Sequence, residues 1–289
     1  MNTKKIIKYI AVALLAYGTS SCSDFLEKEV DLTLSEEQVF RSYENTRGFL
    51  ANIYTYLPDA FVGYTDGQFR SASRDCMTDN ALGWWSVLYY GSVLTDGYSA
   101  INHPFANDFW PKNSRAIRAS NLFLKNVREE VVGNYDKTGH LYDRYVAEAK
   151  LLRAIFHFDM SSWFGDIIIA GDDEEGVPIV FQQNDPRMNV PRNKCADVMK
   201  WVADQCDLVK DVLPFRYSNE NENWGRVNGA AAYALKARAL LYRASPLNNP
   251  TNNIEWWKEA AEAARAFITK NNQQTKPYKL YRTSDNDPT

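Results

Sequence analysis

The chain has 289 residues, 45% of them apolar, enough to bury a sizeable core in one large domain or two small ones. Lys and Arg number 33 against 36 Asp and Glu, and this net charge of −3 argues against a phosphate backbone, and so against nucleic acid, as a partner. The 8 Trp, 17 Tyr and 14 Phe are the unusual feature, since rings with a polar edge suit both cores and half-wet binding surfaces.

Residues 1–21 are expected to form an export signal. Lys4, Lys5 and Lys8 make a basic start, and the apolar run from Ile6 to Tyr17 falls well short of the roughly 20 residues a bilayer span requires. Thr19-Ser20-Ser21-Cys22 resembles a bacterial lipobox, with Thr19 where Leu is usual. Cys22 is therefore the expected lipidation site, its palmitate-type chains holding the protein to a membrane at about 0.8 kcal/mol per buried methylene. An ordinary secretory signal with a coincidental cysteine is the alternative. The polar stretch Ser23, Asp24, Glu27, Lys28, Glu29 is similar to the tag that sends some lipoproteins to the outer face of the outer membrane.

Ser35-Glu36-Glu37-Gln38 has the pattern of a capping box, predicting a helix over 36–57 that stops before Pro58. Residues 58–107 are broken by Gly63, Gly67, Gly83, Gly91, Gly97 and Pro104, and are rich in rings, as binding loops are. Helical spacing returns over 112–131 and again over 142–163, where Tyr145, Ala149, Leu152, Phe156 and Met160 share a face and Gly165 is a natural stop. Residues 166–194 form an excursion whose acidic run, Asp172 to Glu175, fits a solvated turn, with Val177–Val180 as a brief extended piece. Further helices are predicted over 195–213, 228–244 and 255–270, the last with Trp257, Ala260, Ala261, Ala264, Phe267 and Ile268 as its apolar stripe. Cys195 and Cys206 on one helix would lie about 16 Å apart, too far to bridge. A bridge from Cys76 to one of them, or free thiols, both remain open.

The prediction is thus a mainly α protein of helix pairs with long irregular loops and few short strands. Ala154 and Phe158 match one tetratricopeptide spacing, though no strict 34-residue period runs through the chain.

Several segments, in order, resemble the SusD/RagB family. They are Cys22 to Glu29 (CSDFLEKE), Leu34 to Phe40 (LSEEQVF), Asn107 to Trp110 with Ile117 to Asn121 (IRASN), and Tyr145 to Phe158 (YVAEAKLLRAIFHF) with Trp163-Phe164-Gly165. Val190-Pro191-Arg192, Gly225 to Ala231 (GRVNGAA), Leu235 to Arg238 and Ala244-Ser245-Pro246 extend the likeness. The resemblance implies tetratricopeptide-like helix pairs, an α–α superhelix, with a SusD-like domain over 22–245. It implies a lipid-anchored protein of the cell outer membrane, facing outward, that captures a glycan for a SusC-like TonB-dependent transporter. Family members are longer, so residues 246–289 are expected to begin a carboxy-terminal region whose remainder is missing. A peptide-binding member, or a periplasmic lipid-anchored helical-repeat scaffold for protein partners, are the alternatives.

Sugar capture needs flat apolar rings for C–H faces and hydrogen-bonding groups for hydroxyls. Arg74, Asp79, Asn80, Trp84, Trp85, Tyr89 and Tyr90 supply both within one stretch and are the expected ligand face; the alternative is that the rings pack on the helices. Trp224, in the loop Asn219–Trp224, is a second candidate, or only a helix cap. Catalysis is not expected. The three histidines, His103, His140 and His157, lack metal-binding spacing, and no nucleophile elbow, phosphate loop or dinucleotide fingerprint is present, so no metal or cofactor is expected. His157, in an apolar helix, is expected to be structural.

Overall fold

The computed structural model describes residues 35–58, 78–80, 99, 106–136, 140–182 and 184–280. Residues 1–38 form one unit and 39–289 another. In the first, the predicted capping box is present: Ser35 N–H donates to Gln38 Oε1 (2.8 Å) and Gln38 N–H to Ser35 Oγ (3.3 Å).

The helix predicted over 36–57 is two helices, α1 (Glu36–Arg41) and α2 (Tyr43–Tyr54). Ser42 breaks it. Its backbone is extended, and its hydroxyl accepts from Asn45 N–H, so one residue ends the first helix and caps the second. The helix predicted over 112–131 begins earlier and divides, as α3 (Ala106–Asn126) and α4 (Glu129–Gly133). α5 (Leu141–Phe164) is the central element, and Gly165 ends it at φ 72°, where an L side chain would be strained. Its predicted face is buried, but so are Glu148, Arg153, His157 and Asp159 on other faces. α5 is enclosed nearly all round, and each fully buried side chain such as Leu152 or Phe156 contributes about 1.5–3 kcal/mol.

The remaining helices are α6 (Cys195–Val209), the single turn α7 (Glu220–Asn223), α8 (Gly229–Ala244) and α9 (Ile254–Asn272). Asn228 and Asn253 cap α8 and α9 with their side-chain oxygens. Between α5 and α6 the excursion forms a 3-10 turn at Pro186–Met188 and isolated bridges Ile167–Asn193 and Asp172–Pro178. Cys195 and Cys206 are free thiols.

The long helices pack as a row: α3 on α5, α5 on α6, α6 on α8, α8 on α9. This is the predicted tetratricopeptide-like architecture. The outer helix departs from its predicted stripe. Ala260 and Ala263 meet Leu240 and Ala203, and Phe267 meets Phe215 and Tyr233, while Ala261, Ala264 and Ile268 face outward. α9 carries apolar residues on two faces, and α8 covers one.

Candidate ligand-binding cavity

Arg153, wholly buried in the middle of α5, organises the excursion. Its Nη1 donates to Asp172 Oδ1 (2.7 Å) and Asn121 Oδ1 (2.9 Å), and its Nη2 to Asp172 Oδ2 (3.1 Å) and Gln205 Oε1 (2.9 Å). Its guanidinium also stands 5.6 Å from the Trp201 ring. The acidic run is therefore more than a solvated turn, because its first carboxylate forks onto a buried arginine. The fork satisfies both Nη groups and so offsets part of the cost of taking the charge out of water, while Nε is buried and, among the described residues, without a partner.

Two further contacts extend the hub. Asn121 Nδ2 donates to Ala170 O (2.9 Å) and Ile179 O (2.7 Å), clamping both arms of the excursion against α3. His157 Nδ1 lies 2.8 Å from Arg153 O, and its Nε2 accepts from Ala170 N–H (3.1 Å), so the neutral Nδ1–H tautomer satisfies both. Burial holds its pKa down at about 3. His157 is structural, as expected.

The clamped arms wall a cavity of about 710 Å3 against α3 and α5. Ile117, Met160, Ile168, Ala170 and Ile179 make it apolar, and Trp110 and Phe181 supply rings. Arg115, Arg118 and Arg192 supply charge. Arg192 lies over the Trp110 ring at 5.1 Å, and Arg118 Nε donates to Phe181 O (3.2 Å). A largely apolar hollow with a few placed polar groups is what a small-molecule site requires.

The expected ligand face relates to this cavity only in part. Arg74, Trp84, Trp85, Tyr89 and Tyr90 lie outside the described residues, as do Cys22 and Cys76. Asp79 and Asn80 sit in an exposed turn, where Asn80 N–H donates to Thr78 Oγ1 (3.2 Å). Trp224 caps α7 and is 86% exposed, outside the cavity wall. Sequence reasoning did not single out Trp110, Arg115, Phe181 and Arg192, which line the cavity, as candidate site residues, although Trp110 and Arg192 belong to segments singled out above. Among the described residues no group of three His, Cys, Asp or Glu side chains could hold a metal ion, and no helix is long and apolar enough to cross a membrane.

A family model, SusD-like_3, described as "Starch-binding associating with outer membrane", matches residues 24–241. No curated protein matches the chain. A SusD-like carbohydrate binding protein from Bacteroides fragilis shares the fold at a TM-score of 0.59 and 21% identity, over 81% of this chain and 42% of that one. A SusD-like protein from the same species aligns at 0.53 and 19% identity, over 78% and 40%. Surface glycan-binding protein A from Bacteroides uniformis aligns at 0.51 and 18% identity, over 78% and 46%. The chain spans less than half the length of these structures.

Proposed function

The chain belongs to the SusD-like family, and from that membership we propose that it binds carbohydrate at the outer membrane and passes it to a SusC-like TonB-dependent transporter. The observation that carries this reading is the cavity of about 710 Å3 with Trp110 and Phe181 in its wall, in a chain whose family description is starch binding. Rings offer faces for pyranose C–H groups, while Ser114, Gln182 and Asn184 offer partners for hydroxyls. Acyl chains on Cys22 would tether the protein. Protease sensitivity on intact cells and acyl mass at residue 22 test that tether. Arg74, Asp79, Asn80, Trp84, Trp85, Tyr89 and Tyr90 are proposed as a second ligand contact, and Trp224 as a separate candidate.

The direct test is titration of the full chain with oligosaccharides. Trp110→Ala is expected to weaken binding about tenfold, the equivalent of ~1.4 kcal/mol. Trp110 meets Phe164 edge-on at 5.1 Å, so the variant's melting temperature must be followed in parallel. If Trp110→Ala binds like wild type and Trp84→Ala/Trp85→Ala does not, the ligand sits at the second contact. A chain that binds no oligosaccharide would end the proposal.

A further inference from the structure

The cavity is cationic in a protein that is not. Among the described residues its wall holds three arginines, Arg115, Arg118 and Arg192, and no Asp or Glu, against a net charge of −3 for the chain. The nearby carboxylates are already engaged. Asp172 forks onto Arg153, Asp185 pairs with Arg187 (2.5 Å), and Asp166 holds Lys194 (2.8 Å) and the Cys195 N–H (2.9 Å). Asp166 is close enough to Arg192 to feel its charge, yet no ion pair forms between them; among the described residues Arg115, Arg118 and Arg192 have no carboxylate partner. Two of the three are positioned: Arg118 by its bond to Phe181 O, Arg192 by the Trp110 ring.

Arginine presents planar donor pairs that match a carboxylate or sulfate ester, and like charges around one hollow raise its local potential. Given the saccharide-binding reading above, on which this rests, we propose that the cavity's ligand is an acidic saccharide. Its oxyanion, a uronate carboxylate or a sulfate ester, meets Arg115 and Arg192 at the mouth, while a sugar ring lies against Trp110 and Phe181.

The test compares full-chain binding of a neutral malto-oligosaccharide, an oligogalacturonate and a sulfated oligosaccharide of equal length. The acidic chains are expected to bind at least about tenfold tighter than the neutral one, an advantage that shrinks in about 0.5 M NaCl. Arg115→Gln/Arg192→Gln is expected to erase that advantage, lowering the affinity for the acidic chains by far more than that for the neutral one, with a thermal melt showing that the variant is folded. Arg265→Gln, which removes one positive charge from exposed α9, is expected to keep it. Whichever acidic chain binds tighter names the oxyanion. Neutral binding equal to or tighter than acidic binding, or an advantage that survives the double variant, overturns the inference and leaves carbohydrate binding standing. No binding of any of the three overturns both.

Discussion

His157 has no freedom to become charged. One ring nitrogen faces the Arg153 carbonyl, the other takes the Ala170 N–H, and the positive charge of Arg153 disfavours a second one on the ring. Its pKa lies near 3 in the fold against an ordinary 6.5. Between those values the unfolded chain binds more protons than the folded one, so stability falls as pH drops through that window. The expected slope is about 1.4 kcal/mol per pH unit in its middle. Urea titrations from pH 7 to pH 4 should show this loss in wild type and a flatter profile in His157→Gln, which starts from lower stability. An unchanged profile in the variant would mean that other groups set the acid limit. A structural His157 was legible from its apolar helix. Its partner Ala170 was not, nor were Asp172 and Gln205, the partners of Arg153, because they lie on other elements, up to about fifty residues away. The same distance hid the cavity, where Trp110 and Arg192 meet only because α3 and the excursion fold against each other.

At the scale of elements, sequence pattern served best where caps were strong. The 228–244 and 255–270 predictions match α8 and α9 to within two residues, each starting behind an Asn cap. It failed where a residue that fits a helix carries a break, as at Ser42, and where two faces of one helix are equally apolar, as on α9. Some constraints reside in the distance between elements. Gly229 begins α8 hard against the end of α6: an added Cβ would come within 2.6 Å of Lys210 O and 2.9 Å of Leu213 O, both backbone atoms. Gly229 N–H also donates to Pro214 O (2.9 Å). Gly229→Ala should therefore destabilise the protein by about 1–3 kcal/mol, despite alanine's better helix propensity. A thermal melt at or above wild type would show that the two segments separate without cost.

Across the whole molecule, the row of helices implies a gradient of protection. α5 has neighbours on both sides and a fully buried centre, whereas α9 packs chiefly on α8 and, among the described residues, buries only Ala260, Ala263 and Asn271. Amide hydrogen exchange should be slowest in α5 and fastest in α9, with α6 and α8 between. Equal rates would indicate one cooperative block instead. The mainly helical class and the family were readable because both rest on short local patterns repeated along the chain. The cavity was not, since it belongs to the spaces between them.

That row also follows the order of synthesis. Each long helix leans chiefly on the one made just before it, so most partners are close along the chain and loop closure is inexpensive. A polypeptide emerging end-first from a narrow tunnel can dock each new rod onto a finished one, without waiting for its last residue.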